Sequence, residues 1–295
     1  MVKIERILCP VDFSEFSSKA YDYAYSLARH YGAKLFVEHV VQPLTVAYPY
    51  YGFPESTAYE VYGSLASDAE QRLKELVQAR SWDGLQPEWV VQKGLAADGI
   101  LTFAETQGAS LIVMGTHGRR GLDRLTMGSV AERVLRKSQC PVLVVRKPAH
   151  DFVDPRDINE PVHLRKILLC TDFSDYALRA LDYAFSLAME YDAELTLLHV
   201  LENIDTSADL GSVVADAKEC LENRIPKDAG NWCKFKSVVR IGKPYQEIVQ
   251  LSMEMQTDLV ILGVRGRNAL NLALFGSTSH RVIQLGSCPV LAVHI

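Results

Sequence analysis

Basic residues are not in excess in this chain: 31 lysines and arginines stand against 36 aspartates and glutamates, a net charge of −5. Surfaces that hold polyanions draw their affinity from clustered cations, so this balance argues against non-specific nucleic-acid binding and against an anionic membrane surface. No apolar run approaches the roughly 20 residues that cross a bilayer, and no N-terminal secretion segment is visible. The six cysteines include no C-x-x-C pair and no Cys/His spacing of the zinc-site kind. They are expected to be reduced core thiols of a cytoplasmic protein, with no metal among them. The Gly-Lys-Ser/Thr of a P-loop is missing too, and no pair of acids at predicted strand ends is placed to hold magnesium and orient water. The chain therefore reads as a binding protein and not a dedicated enzyme, with weak turnover left open.

What the chain does contain is a glycine pattern that occurs twice, Gly115-x2-Gly118-x9-Gly128-Ser129 and Gly263-x2-Gly266-x9-Gly276-Ser277. Each copy follows a hydrophobic run and leads into a helical segment that ends at a second apolar run, CPVLVVR or CPVLAVH. Strand, loop and helix in that order suit a phosphate cradle, because glycines let the backbone approach an anion and the amides at a helix start are unpaired. Tight turns and helix packing are the plain alternative for the same glycines.

The duplication extends along the chain. Pro10-Val11-Asp12-Phe13-Ser14 answers to Cys170-Thr171-Asp172-Phe173-Ser174 and His39-Val40 to His199-Val200, both at an offset of 160. Gly94 answers to Gly242 and Gly115 to Gly263 at an offset of 148, so the first half carries twelve extra residues between His39 and Gly94. The stretch KPAHDFVDPRDINEPVH, polar and with three prolines, reads as a linker. The expected division is a first domain at 1–147, a linker at 148–163 and a second domain at 164–295, each long enough to bury its own core.

Within each half, strand-like and helix-like segments alternate. Arg6–Val11 and Lys166–Thr171 are short apolar runs suited to strands buried on both faces. Ser14–Tyr31 and Ser174–Tyr191 carry apolar residues at helical spacing, with the serines as N-caps. Further strands are expected at Lys34–Val41, Glu88–Gln92, Ser110–Met114 and Val142–Arg146, and at Glu194–Leu201, Lys236–Arg240, Asp258–Leu262 and Val290–His294. This alternation predicts an α/β fold with right-handed crossovers and a mostly parallel sheet covered on both sides.

Ligands of open parallel sheets bind outside the carboxyl ends of the strands. Those ends carry Asp12, Val40, Gly94 and Gly115 in one half and Asp172, Val200, Gly242 and Gly263 in the other. An aspartate to accept from a base or ribose, a strand-end backbone to pair with an adenine edge, and a glycine loop for phosphates together describe a nucleotide-shaped slot. Asp12 and Asp172 also have a plainer role, helping the following helix to begin.

With PVDFSE, HV, GTHGRRGLDRLTMGSVAERVL and CPVLVV in view, the chain resembles the universal stress protein family, as a tandem of two domains covering nearly its whole length. The resemblance implies two Rossmann-like (adenine nucleotide alpha hydrolase-like) domains, each a five-stranded parallel sheet of order 3-2-1-4-5 with helices on both faces. It also implies nucleotide binding, because intact G-x2-G-x9-G-[ST] motifs mark the members that bind ATP. Carried over by position, Asp12 and Val40 would contact adenosine, Gly115 the ribose, and Gly118, Gly128, Ser129 and Val130 the phosphates. The matching positions are Asp172, Val200, Gly263, Gly266, Gly276, Ser277 and Thr278. The ligand implied is ATP or AMP, with or without Mg2+.

The copies differ. The family's Pro-x-Asp becomes Cys170-Thr171-Asp172, and between the second and third glycines the first loop holds Arg119, Arg120 and Arg124 where the second has Arg267 as its only charge. Charge-assisted contacts hold phosphate, so the first site is expected to bind more tightly. His117 in the first loop is either a phosphate or metal-water contact or an exposed loop residue, whereas His39 and His199 read as oriented strand residues. The segment QPLTVAYPYYGFPE, with Tyr48, Tyr50, Tyr51 and Phe53, is a lid, a partner surface or a packed insertion. The apolar VLVV and VLAV runs would be exposed edge strands, and in the family this strand pairs with its equivalent across a dimer. A tandem chain meets that need as an intramolecular pseudo-dimer, which leaves a homodimer of two chains open. Three functions follow: a nucleotide-binding stress-response protein, a nucleotide-free scaffold, or a slow ATPase.

Overall fold

The computed structural model describes residues 2–42, 55–79, 84–116, 127–146, 151–154, 160–202, 209–226, 229–231, 233–264 and 276–294. In the first half β1 (Arg6–Pro10), α1 (Glu15–Tyr31), β2 (Lys34–Val41), α2 (Glu55–Gln78), β3 (Glu88–Lys93), α3 (Ala96–Gln107), β4 (Leu111–Gly115), α4 (Ser129–Lys137) and β5 (Val142–Val145) alternate. The second half repeats them as β6 (Lys166–Cys170), α5 (Asp175–Tyr191), β7 (Glu194–Leu201), α6 (Leu210–Glu222), β8 (Phe235–Ile241), α7 (Pro244–Glu254), β9 (Leu259–Val264), α8 (Ser277–Leu285) and β10 (Val290–His294). All ten strands form one sheet of order β3-β2-β1-β4-β5-β10-β9-β6-β7-β8. Each half is therefore a parallel 3-2-1-4-5 array, as expected.

The two arrays join at their last strands. β5 and β10 pair antiparallel, with Val144 opposite Val290, Leu143 opposite Leu291 and Val142 opposite Ala292. Two apolar edges thereby cover each other inside one chain. Of the two cores, one lies under α1, α2, α5 and α6 and runs across both halves. The other lies on the opposite face under α3, α4, α7 and α8.

Helix α1 starts where Ser14 Oγ accepts from Ser17 N and stops at Gly32, which takes the left-handed conformation that lets its N–H reach the last carbonyls. It is buried almost all round, with Tyr21, Tyr23 and Tyr25 fully enclosed, because its outer side meets the linker and the second half. Tyr23 donates to Asp151 Oδ1 at 2.6 Å, and its ring stands edge-on to Phe152 at 4.8 Å. Lys19 pairs with Asp151 at 2.5 Å, while His30 stacks on Tyr191 and reaches Glu190 at 3.0 Å.

A second set of contacts follows the pseudo-symmetry. Arg146 and His294 occupy equivalent positions, and each reaches the end of the other half's last helix. Arg146 donates to Ile283 O at 3.3 Å and to Gln284 O, while His294 Nε2 donates to Leu135 O at 2.6 Å.

Three sequence expectations are refined. The stretch taken as a polar linker packs Phe152, Val153 and Val162 into the shared core; so few apolar residues among prolines have no period to betray them. The extra length of the first half lies largely in a helix, α2 having 24 residues against 13 in α6. Among the cysteines Cys9, Cys170, Cys233 and Cys288 are buried, but Cys220 is exposed and Cys140 only partly covered, so the expectation of core thiols fails for Cys220.

Candidate functional site

The carboxyl ends of β1 and β2 are tied together by the same bonds in both halves. Val11 N donates to Glu38 O at 2.8 Å and Thr171 N to Leu198 O at 3.0 Å. One residue on, His39 Nδ1 meets Val11 O at 2.7 Å and His199 Nδ1 meets Thr171 O at 2.9 Å. A carbonyl only accepts, so each ring carries its proton on Nδ1. The histidines thus orient the strand ends, as the sequence suggested, and set Val40 and Val200 beside the turns that carry Asp12 and Asp172.

Those turns are made by the aspartates themselves. Asp12 Oδ1 accepts from Ser14 N at 3.1 Å and Ser14 Oγ at 2.6 Å; Asp172 Oδ1 accepts from Ser174 N at 3.0 Å and Ser174 Oγ at 2.5 Å. Between them Phe13 and Phe173 take φ of 63° and 64°, a left-handed conformation that an aromatic residue adopts only when its surroundings impose it. Each ring lies on the neighbouring histidine, at 4.7 Å in the first half and 4.2 Å in the second. Arg72 covers Phe13 at 4.2 Å, and Arg224 lies over Phe173 at 5.6 Å.

The first glycine of each motif has a structural reason. A Cβ on Gly115 would come within 2.9 Å of the Phe16 backbone, and one on Gly263 within 2.4 Å of Tyr176 O. These glycines let β4 and β9 pass directly under the first turns of α1 and α5. The third glycines differ. Gly128 (φ −64°) and Gly276 (φ −52°) have angles open to any residue, and a Cβ on Gly276 meets nothing nearer than Ser279 Oγ at 3.9 Å among the described residues. Each serves as the N-cap of its helix without a side-chain bond. The amides of Ser129, Val130 and Ala131, and of Ser277, Thr278 and Ser279, precede the first intrahelical bonds, Glu132 N to Gly128 O and His280 N to Gly276 O, both 3.0 Å. Gly128 N donates to Thr116 O at 2.8 Å, which draws the ends of the intervening loop together beside Gly115.

Asp12, Val40, Gly115, Gly128, Ser129 and Val130 thus meet at one end of the first array, and Asp172, Val200, Gly263, Gly276, Ser277 and Thr278 lie at the corresponding places of the second. His117, Gly118, Gly266, the loop arginines and the tyrosine-rich segment from Thr45 to Phe53 lie outside the described residues. Among the described residues no group of three His, Cys, Asp or Glu side chains is placed to hold a metal ion.

The universal stress protein family model matches residues 3–146 and again 163–294. The chain belongs to the universal stress protein family. A universal stress protein of Methanocaldococcus jannaschii is 36% identical over 146 residues, 49% of this chain and 83% of that protein. One of Mycolicibacterium smegmatis is 25% identical over 296 residues, covering 97% of this chain and 96% of its own length. A solved universal stress protein from Archaeoglobus fulgidus has the same fold, with a TM-score of 0.71 at 23% identity over 99% of this chain and 97% of that one. No helix among the described residues is long and apolar enough to cross a membrane.

Two features of this universal stress protein's slots escaped the sequence reading. The strained Phe13 and Phe173 were signalled by the repeated Asp-Phe-Ser. Glu38 was not: it stands in a strand, immediately before His39, where the second half has Leu198. It is fully buried, neither carboxylate oxygen has a hydrogen-bond partner among the described residues, and burial pushes its carboxyl up to about 8.

Proposed function

We propose that this universal stress protein binds an adenine nucleotide, ATP or AMP, in one slot per half, and that occupancy shifts a conformational or interaction equilibrium in a cytoplasmic stress response. The observation that carries the reading is the third glycine: at Gly276 neither the backbone angles nor any described neighbour calls for glycine, yet it stands at a helix start whose amides are uncapped. A phosphate seated there would complete the helix start and exclude a side chain. The amides of Ser129 and Val130, and of Ser277 and Thr278, would hold the phosphates, while the strand ends at Asp12 and Val40, and at Asp172 and Val200, would receive the nucleoside. Mg2+ bound with ATP would take most of its oxygens from phosphate and water. Binding, not dedicated turnover, is the role proposed.

The two halves also support a link between slots. Helix α4 presents its start to the first slot, and Leu135 near its end is held by His294 of the second half; α8 is held likewise by Arg146. A ligand that pulls on one helix start therefore pulls on a contact between halves.

One observation favours the scaffold reading: Gly115 and Gly263 are required by packing and the aspartates by their turns, with no ligand needed. Mass spectrometry of nucleotide released from freshly purified, denatured protein separates the two. About two ATP or AMP per chain supports both slots, and about one supports an asymmetric pair, to be assigned with Gly128→Arg and Gly276→Arg. No released nucleotide, followed by no calorimetric binding of added ATP with Mg2+, leaves the scaffold.

A further inference from the structure

The ten-stranded sheet ends at β3 on one side and at β8 on the other. Gly94 N donates to Val41 O at 3.1 Å, and Val41 is the register partner of Lys93. Backbone groups of a strand alternate in direction, so the N–H and C=O of Val90 and Gln92 point into the sheet and those of Trp89, Val91 and Lys93 point out of it. No described strand lies on that outer side. The side chains of the same three residues lie on the face covered by α2. Val91 packs against the core there, Lys93 Nζ lies 4.5 Å from the centre of the Tyr62 ring, and Trp89 walls an open groove with Ser67, Glu70, Gln71, Lys74 and Val77. Trp89 is 40% exposed although it stands on the outermost strand.

An open row of donors and acceptors is a template for another strand, and edges that stay single are commonly broken by a proline, a bulge or clustered charge. β3 runs unbroken for six residues, and Pro87 stands just before it. The other edge is guarded differently. In β8 the position of Trp89 holds Ser237, while Lys236 pairs with Glu194, and Arg240 pairs with Glu247 and Glu254. The chain already shows how such an edge is covered: β5 and β10, equivalent strands of the two halves, pair antiparallel about the equivalent residues Leu143 and Leu291.

We propose that β3 is the interface of a homodimer, pairing antiparallel with β3 of a second copy about a two-fold axis through Val91. The strand itself selects this register. A two-fold axis normal to the sheet keeps each face on its own side, so odd positions must lie opposite odd ones. With Val91 opposite its own copy, Trp89 faces Lys93 of the second chain and Lys93 faces Trp89, and every outward N–H and C=O of the three residues finds a partner. Sliding the copy two residues toward the strand start sets Pro87, which has no N–H, opposite Lys93 and leaves a bond unmade. In the selected register an ammonium group lies beside an indole across the strands, once on each side of the axis. The bordering flank of α2 carries Glu70 and Lys74, one acid and one base, so it does not repel its own copy. The lysine that guards a lone edge and the exposed tryptophan thus complement each other. This inference does not depend on nucleotide binding.

The test is sedimentation equilibrium of the full chain from roughly 1 to 100 μM, the span of small interfaces, with circular dichroism as the check on folding. The native chain should populate a dimer in that range. Val91→Pro removes only an outward N–H, the place where an edge strand accepts proline, and should leave the chain monomeric throughout. Trp89→Lys sets like charges opposite each other on both sides of the axis and should weaken association by roughly tenfold. Adding Lys93→Glu turns each clash into an ion pair and should restore most of the loss. Val239→Pro, the equivalent change in β8, should leave association as it is. If Val91→Pro does not fold, Trp89→Lys and its rescue decide. A native chain that is monomeric at the highest concentration overturns the inference, as does a dimer that Trp89→Lys leaves unchanged. A dimer dissolved by Val239→Pro and not by Val91→Pro lies at β8 and overturns it equally, and failure of the Lys93→Glu rescue overturns the pairing about Val91.

Discussion

The two halves share backbone and strand order but place their polar groups in opposite ways around β2 and β7. In the first half the acid is inside: Glu38 is buried with no hydrogen-bond partner among the described residues, and Gln92 and Gly99 stand near the strand end. In the second half the same three positions hold Leu198, Arg240 and Glu247. Leu198 is buried in the core, while Arg240 forms ion pairs with Glu247 at 3.5 Å and with Glu254 at the rim. A duplicated fold thus tolerates a buried unpaired acid in one copy and moves charge to the solvent edge in the other. Folding alone explains the second arrangement. The first calls for a reason outside folding, because a buried carboxyl with no bond costs stability that leucine would not.

Removing the difference should have the largest effect. The unfolded chain ionises Glu38 near pH 4.5, whereas the folded chain keeps its proton until about 8. Between those values the unfolded state has released a proton that the folded state retains, so stability falls as pH rises through that window, by on the order of 4 kcal/mol. Glu38→Leu should abolish this fall and raise the denaturation midpoint most at pH 8 to 9. Urea titrations of both chains from pH 5 to 9 check it, and parallel curves would break the comparison.

The strand-under-helix contact comes next. Gly263→Ala puts a Cβ 2.4 Å from Tyr176 O and Gly115→Ala puts one 2.9 Å from the Phe16 backbone. About 3 kcal/mol of destabilisation is expected for the first and about 1–2 for the second, the range of overpacked sites. Chemical denaturation of the two single variants sharpens or reverses that ranking.

The reciprocal contacts between halves should respond differently to acid. His294 is buried and its pKa is lowered, whereas its counterpart is an arginine. Below pH 6.5 the unfolded chain takes up a proton that the folded His294 resists, so stability falls with decreasing pH by up to about 1.4 kcal/mol per pH unit. His294→Gln should flatten that part of the profile and Arg146→Gln should not, as read by thermal unfolding between pH 5 and 7. The smallest effect belongs to the first caps. Ser14→Ala removes the bond from Ser17 N and should cost about 1 kcal/mol, whereas Ser174 makes no such cap and Ser174→Ala should cost less. Melting temperatures of the two variants decide it.

Much of this was legible without coordinates because the signals are local or repeated. Short apolar runs set the strands; Lys34–Val41, Glu194–Leu201 and Val290–His294 kept the bounds read from the sequence. The duplicated Asp-Phe-Ser and glycine motifs marked the equivalent strand ends and helix starts of both halves, since an offset shared by many positions needs no contact information. The Phe152 and Val153 packing was not legible: two apolar residues in a proline-rich stretch carry no period, and their burial depends on how the halves meet. The role of Gly115 and Gly263 was legible only as an alternative, because close passage under a helix start and phosphate binding both call for glycine at the same place.

The sequence by itself therefore determined the family, the alternation of strands and helices, and the duplication, all of which follow from short-range pattern. The joining of the halves through their last strands was expected from the apolar runs and the resemblance, whereas tertiary structure alone decided that each half caps the other's last helix and that Glu38 is buried with no hydrogen-bond partner among the described residues. Those facts arise where residues far apart in sequence become neighbours, and the cost of a buried polar group is set by the neighbours it lacks.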